Sequence, residues 1–335
     1  MGHETIFFDE GPGFIWAKTL GQGAFGSASL VFCVRDGKYY VRKEDLTTSN
    51  CDARAPNREV QNARRVADVA GTAKVQGWAH YKVNGSGKTF RVSYWDYYTA
   101  GTVVELIDRS ATARVKIPEA WICVFAANML DIVLEIHGAG IVHRDGHLNN
   151  WFITSRDENG IPKVGLGDFG ISKSQEECTD KEWLENCRID YKDVYKNIAC
   201  LLEGHPYGKL HDLVRDLKEY VQSAQSTTFL HEYMKVLRDS PVLIKVKYRK
   251  RESEQKLFKE STPHPGKDAL GFGVYVGPKA RDQMATAFKN FVIAELQENG
   301  AFHLKGSPKE ISDKYKPVIS GGWTQEGDGF IKVKR

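Results

Sequence analysis

The chain is poor in the features that would staple it covalently, anchor it in a bilayer or commit it to a charged partner. Its six cysteines, Cys33, Cys51, Cys123, Cys178, Cys187 and Cys200, are scattered through 335 residues without a C-x-x-C pair. That spacing argues against a zinc knuckle and against a disulfide scaffold, and for reduced thiols. The opening stretch MGHETIFFDEGPG has neither the basic n-region nor the apolar h-region of a signal peptide. No apolar run approaches the ~18 residues that crossing a bilayer requires, so no membrane partner is expected and the location expected is cytoplasmic or nuclear. Neither sign of charge dominates, since 47 Lys and Arg stand against 43 Asp and Glu for a net +4. A balance that small gives no reason to expect nucleic acid as a partner. No internal repeat and no long low-complexity linker interrupts the chain. What is present is core-forming material: 41% hydrophobic residues, enough for one large or two modest domains.

The chemistry is concentrated in Ile141–Gly170, IVHRDGHLNNWFITSRDENGIPKVGLGDFG. Among its residues are two separated aspartates, Asp145 and Asp168, an amide between them at Asn150 and a glycine-hinged turn, which is equipment for moving a phosphoryl group. His143, Arg144, Asp145 and Asn150 fit H-R-D-x-x-x-x-N, and Asp168, Phe169 and Gly170 give D-F-G. Either motif alone is better explained as an ordinary loop with Asx turns. The ordered pair, with Asn150 between, is far more specific. On these residues the stretch resembles the catalytic core of the eukaryotic protein kinases. The resemblance implies that Asp145 accepts the proton of an attacking hydroxyl, and that ATP and Mg²⁺ are the cofactors. It makes Asn150 and Asp168 the oxygen ligands of the metal, a hard cation suited to carboxylate and phosphate oxygens.

Upstream, Phe14–Leu46 reads as three short strands with turn signals at Gly21–Gly26 and Asp36–Gly37, the opening of a small antiparallel sheet. Gly21, Gly23 and Gly26 form G-x-G-x-x-G, whose missing side chains let backbone N–H groups approach phosphates. A dinucleotide fold would need a helix after the glycines, and Ser27–Val34 instead continues as a β-rich run. In the kinase reading Ala28 and Val41 join the nucleotide site, and Lys43 at the end of the third strand binds the phosphates. Arg42 is a rival cation, and a solvated strand end is the bland alternative. Strand alternation puts the two cations on opposite faces, with Lys43 sharing the face of Val41. The segment NREVQNARRVADV has helical spacing, and Glu59 sits where the kinase C-helix glutamate pairs with that lysine; its plain alternative is a solvent-facing position. GSGKT at 85–89 imitates a P-loop but lacks the first glycine, and reads as a hairpin turn. The segment after it resembles a kinase hinge, in which Asp96, Tyr97 and Tyr98 offer backbone groups to adenine and Trp95 is the gatekeeper.

Pro118–His137 carries a helical apolar pattern suited to a buried helix before the catalytic loop. KDVYKNIACLLEG resembles the kinase F-helix, with Asp193 either bracing the catalytic-loop backbone or simply capping a helix. The resemblance covers about Leu20–Gly204, and departs from the family in two ways. The stretch from Asp168 to Asp193 is short and has no A-P-E motif, and the second place after Asp145, commonly lysine in Ser/Thr kinases, is His147. An imidazole with an ordinary pKa of about 6.5 is mostly neutral at cellular pH, so the transferring phosphate lacks a fixed cation from this loop. Arg144 is the residue that, in kinases of this type, binds a phosphate on the activation segment. The candidates here are Ser172, Ser174 and Thr179.

The fold class expected is α+β and two-lobed: an N-lobe over about 10–98, a small antiparallel sheet with one helix, and a larger, mostly helical C-lobe over 99–335. The final third includes helical patterns at LHDLVRDLKEYVQ and ARDQMATAFKNFVIAELQ and a basic run, Lys245–Lys259, best read as a solvated face. The activity expected is transfer of the ATP γ-phosphate to a protein Ser/Thr hydroxyl, so a protein substrate is the expected partner. Two rivals are a small-molecule phosphotransferase of the same fold, against which the HRD and DFG forms argue, and a pseudokinase scaffold, against which Lys43, Asp145, Asn150 and Asp168 argue.

Overall fold

The computed structural model describes residues 14–23, 26–33, 38–46, 57–82, 89–157, 160–244, 248, 252–257, 273–275, 323–325 and 330–333. The chain divides into two compact units, one of Met1–Asn57, Lys74–Tyr97 and Thr262–Arg335, the other of Arg58–Ala73 and Tyr98–Ser261.

In the first unit, β1 (Phe14–Gly23), β2 (Gly26–Cys33), β3 (Lys38–Leu46), β4 (Val75–Lys82) and β5 (Thr89–Asp96) form an antiparallel sheet in the order β1-β2-β3-β5-β4. β-branched and aromatic residues at alternating positions favour this pleated, half-buried surface. Leu30 opposes Val41, which opposes Trp95; Ser29 opposes Arg42, which opposes Tyr94. Directly opposed residues share a face, so Ala28, Val41, Lys43 and Trp95 lie on one side and Tyr40, Arg42 and Tyr94 on the other. The expected separation of the two cations is therefore present, and it is Arg42 that is buried, with its Nη1 2.5 Å from Glu44 Oε2. Lys43 is half-buried, its Nζ 5.3 Å from the centre of the Trp95 ring. β4 and β5 close on each other at Lys82 and Thr89, as a hairpin requires. The loop carrying Gly85–Lys88 lies outside the described residues, as do Ala24–Phe25 and Asp36–Gly37.

The second unit begins with α1 (Arg58–Arg65) and continues through α2 (Val103–Ala113), α3 (Glu119–Gly138), β6 (Ile141–Val142), β7 (Trp151–Arg156), β8 (Pro162–Leu166), β9 (Lys173–Ser174), α4 (Asp180–Leu201), α5 (Lys209–Ser223), α6 (Thr227–Arg238) and α7 (Pro241–Ile244). Thr102 with Glu105 and Thr179 with Glu182 form reciprocal capping boxes that start α2 and α4. α3 is the core: Trp121, Ile122, Phe125, Met129 and Ile136 are all shielded from solvent. Truncating one such residue, Phe125→Ala, would cost ~3–5 kcal/mol. By composition α3 reaches the length and apolarity of a membrane span, contrary to the sequence reading, and 67% of that window is buried within the protein. Its apolar residues are thus accounted for by packing.

In the final third, α5 to α7 are helical and lie in the second unit, whereas the described strands beyond them join the first unit. β10 (Gly273–Tyr275) pairs with β1, β12 (Phe330–Val333) with β10, and β11 (Trp323–Gln325) with β12, all antiparallel, which extends the first unit's sheet. The helical pattern at 281–298 lies outside the described residues, as does most of the basic run at 245–259.

Candidate active site

The catalytic stretch is held from beneath by α4. Asp190, almost fully buried, accepts from the backbone N–H of His143 at 2.8 Å and of Arg144 at 2.6 Å, and also receives His137 Nε2 at 2.8 Å. One turn on, Asp193 Oδ2 accepts from Gly146 N–H at 3.0 Å. A further turn on, Asn197 donates to the Gly146 carbonyl at 2.6 Å, which Trp151 Nε1 also reaches at 2.9 Å. Positions 190, 193 and 197 fall on one face of a helix, so a single surface of α4 fixes the loop. Asp193 thus braces the catalytic-loop backbone, one of the two roles the sequence reading allowed it, through Gly146, while Asp190, which that reading did not single out, holds the two N–H groups at the start of the loop. Neither caps a helix end, because both lie inside α4. Burial, against the Gly146 hydrogen bond, raises the pKa of Asp193. A Cβ on Gly146 would meet the Cβ of Asp193 at 3.2 Å, tighter than an ordinary contact, so Asp193 would have to shift by a few tenths of an ångström to admit it.

His143 ties this loop to the D-F-G turn. Its Nε2 lies 3.0 Å from the Gly167 carbonyl, its Nδ1 accepts from Asp145 N–H at 3.3 Å, and its ring packs edge-on to Phe169 at 4.9 Å. One neutral tautomer satisfies both bonds, and complete burial, which lowers the pKa of this imidazole, keeps it neutral. Asn150 adds a second tie: its backbone carbonyl accepts from Gly167 N–H at 2.9 Å, and its side-chain amide nitrogen donates to Asp145 O at 2.8 Å and Asp145 Oδ2 at 3.1 Å. Asp145 is thereby oriented, and its carboxylate stays 39% exposed, open to an incoming hydroxyl. His147 Nε2 stands 3.4 Å from the other oxygen, Asp145 Oδ1. Arg144 and Asp168 both have positive φ, 70° and 65°, unusual for non-glycine residues and found where a site imposes a backbone conformation.

The residues expected to hold Mg²⁺ fit that ion on one structural ground: the Asn150 amide nitrogen is committed to Asp145, leaving its oxygen as the atom it can offer beside the Asp168 carboxylate. An all-oxygen donor pair of this kind suits a hard cation. Of the glycines in the first unit, a Cβ on Gly21 would meet nothing within 4 Å, whereas one on Gly26, at φ 154°, would run into the Glu44 carbonyl at 2.0 Å. Gly26 is therefore demanded by the sheet itself, while Gly21 leaves open space of the sort a phosphate needs. Gly23 ends β1 opposite Gly26, and Ala28 and Val41 lie on the Lys43 face. Glu59, in α1, is buried rather than solvent-facing. In the hinge-like stretch, Asp96 N–H donates to the Lys74 carbonyl at 3.1 Å, Asp96 Oδ1 accepts from Gln76 at 2.7 Å, and the Tyr98 carbonyl accepts from Gly101 N–H at 3.1 Å. Those groups have hydrogen-bond partners within the chain. Trp95 is buried at the end of β5.

The segment after D-F-G is anchored by contacts of its own. β6 pairs with β9, Ile141 against Ser174 and Val142 against Lys173, and Gln175 N–H donates to the Gly140 carbonyl at 2.8 Å. Ser172 is wholly buried; its hydroxyl donates to Phe169 O at 2.6 Å and accepts from Asn62 Nδ2 at 2.9 Å. Asn62 is the centre of one face of α1, flanked by Arg58, 3.1 Å from Glu177, and Arg65, 2.8 Å from Glu176. Ser174 and Thr179 are engaged with Glu177 and Glu182 in capping boxes. Arg144 Nη1 donates to the Ile171 carbonyl at 3.2 Å. All three hydroxyls considered as phosphorylation sites thus have structural partners.

The sheet of the first unit and the braced loop of the second define an α+β, two-lobed fold of the kinase type. The model of the protein kinase domain matches residues 14–197, more than half of the chain, and the chain belongs to that family. It is 25% identical over 210 residues to the serine/threonine-protein kinase ppk31 of Schizosaccharomyces pombe, covering 62% of this chain and 18% of that protein. To the serine/threonine-protein kinase Nek1 of Mus musculus it is 29% identical over 160 residues, covering 48% of this chain and 12% of that protein. The chain therefore spans under a fifth of the length of these two relatives. Among solved structures, the crystal structure of the BubR1 kinase domain superimposes with a TM-score of 0.54 at 14% identity, over 73% of this chain and 83% of that one.

Proposed function

We propose that the chain is an active, ATP-dependent kinase that transfers the γ-phosphate to Ser or Thr hydroxyls of a protein substrate. The observation that carries this reading is the state of Asp145: two hydrogen bonds from Asn150 and one through His143 fix it, while its carboxylate remains accessible. A scaffold that had lost catalysis would have no use for so constrained an exposed base. In this reading Asp145 takes the proton of the attacking hydroxyl, Asn150 and Asp168 hold Mg²⁺, and Lys43 with the backbone at Gly21, Gly23 and Gly26 binds phosphate oxygens. Glu59 positions Lys43, and His147 lies beside the base where it meets the incoming substrate. When bound, the metal neutralises the charge on the transferring phosphate.

The same reading includes activity without phosphorylation of the activation segment. The support is that Ser172, Ser174 and Thr179 are already consumed by Asn62, Phe169, Glu177 and Glu182. α4 starts at Asp180, so little chain separates the D-F-G turn from it, and the protein substrate is held by surfaces peculiar to this chain. The test is incubation with γ-labelled ATP, Mg²⁺ and generic protein substrates, followed by identification of the labelled residue. Label on serine or threonine supports the reading. Label on a small molecule only would favour the phosphotransferase rival, and no label under any condition the pseudokinase.

A further inference from the structure

A second group of metal-ligating side chains lies away from the catalytic residues, where α3, α4 and α6 meet. His137 near the end of α3, Cys187 in α4 and His231 in α6 each present one donor atom, and these atoms lie within 4.8 Å of one another. His137 Nδ1 is 3.1 Å from His231 Nε2. A tetrahedral ion with bonds of ~2.0–2.1 Å to nitrogen and ~2.3 Å to sulfur places two nitrogen ligands about 3.4 Å apart, so the two nitrogens already stand near the required separation and a tilt of the rings would aim both at one ion.

Two independent features point to a ligand. First, His137 uses its other nitrogen, Nε2, on the Asp190 carboxylate at 2.8 Å, the carboxylate–histidine arrangement that orients metal-binding imidazoles and leaves Nδ1 as donor. Second, the Tyr191 hydroxyl, fully buried in the same cluster, has no hydrogen-bond partner. Its ring lies edge-on to His137 at 5.2 Å and to His231 at 6.2 Å, and it sits one helical turn from Cys187 in α4. A buried hydroxyl left without a partner costs ~1–3 kcal/mol and calls for an explanation. A cation held by the two imidazoles and the thiolate supplies one, with the phenol oxygen or a solvent molecule as fourth ligand.

We propose that His137, Cys187 and His231 form a structural site for a divalent transition metal ion with zinc-like preferences, tying α6 to the helices that hold the catalytic loop. Two nitrogens and one sulfur are the donor set of zinc rather than of magnesium or calcium. Binding releases the Cys187 thiol proton to solvent and moves the His231 proton to Nδ1. Without an ion, His231 Nε2–H instead donates to His137 Nδ1, which continues the hydrogen bond to Asp190; that is the rival explanation of the same geometry. His231 is half-buried, giving the ion a path from solvent.

The test is titration of the chelator-treated full chain with Co²⁺ and then Zn²⁺. The site predicts one equivalent of cobalt, a thiolate-to-cobalt charge-transfer band with the visible bands of tetrahedral cobalt, and loss of both when zinc is added. Cys187→Ser should abolish the charge-transfer band, and His231→Gln should weaken zinc binding at least ~10-fold with the circular dichroism spectrum unchanged. Should Cys187→Ser fail to fold, His231→Gln alone decides, because that side chain is partly exposed. No cobalt binding, or equal affinity and spectrum in wild type and His231→Gln, would overturn the proposal and leave the hydrogen-bonded histidine pair.

Discussion

The loop around Asp145 and the glycine-bearing strands, which on the proposed function both present polar atoms to a charged group, have opposite amounts of internal support. Around Asp145 nearly every backbone group is tied to a helix side chain: Asp190, Asp193 and Asn197 reach it from α4, and Asn150 and His143 from the loop itself. Along β1 and β2, by contrast, register shifts fall between Trp16 and Lys18 and between Thr19 and Gly21, and Thr19–Gln22 are exposed. The base that must meet a hydroxyl within hydrogen-bond reach is preorganised. Among the described residues the strand end bearing Gly21 is held by its ladder, which on the proposed function suits a part that adapts to its ligand.

Asp190→Ala should break the supported side most severely. It strands one buried and one part-buried N–H donor and His137, at ~1–3 kcal/mol for each unsatisfied group, so a loss of about 3 kcal/mol or more is expected as a lower urea midpoint with unchanged slope. Asp168→Ala leaves the fold intact and removes Mg²⁺-dependent stabilisation by ATP. At a nucleotide concentration a hundredfold above Kd that amounts to roughly 2.7 kcal/mol, read by thermal shift. Equal Mg·ATP stabilisation of the wild type and this variant would support the scaffold rival. The glycines sharpen the contrast. Gly146→Ala should destabilise by ~1–3 kcal/mol, because the new methyl meets Asp193, while Gly21→Ala should change stability by only a few tenths of a kcal/mol, visible by contrast in nucleotide affinity. Smallest of all, phosphatase treatment should leave activity unchanged. A large loss there, with folding intact, would mean that a phosphate on the activation segment, bound by Arg144, operates after all.

Much of this was legible in the sequence because its signals are local. H-R-D with Asn150, D-F-G, the glycine triplet and the alternation around Val41–Lys43 depend only on spacing and period. The Asp190 brace was not, although one helix face carrying 190, 193 and 197 was a usable signal. A run beginning at Lys192 drew attention to Asp193 and hid the start of the helix at Asp180. The partners of Ser172 were also invisible, since Asn62 lies far upstream and only packing brings a buried hydroxyl to it. The same holds for β10, whose pairing with β1 is non-local. The cluster of His137, Cys187 and His231 shows no metal-binding spacing, because its members sit on three helices. The catalytic chemistry is thus written in contiguous motifs, and its mechanical support in helix faces and long-range pairs.

The central claim is that Asp145 is a working base rather than the relic of one. The most direct measurement is the rate of phosphate transfer from γ-labelled ATP to a protein substrate by wild type and Asp145→Asn, alongside Mg·ATP affinity for both. The expected result is a fall in turnover of ~10²- to 10⁴-fold with nucleotide affinity nearly unchanged. Equal turnover by the two proteins would contradict it.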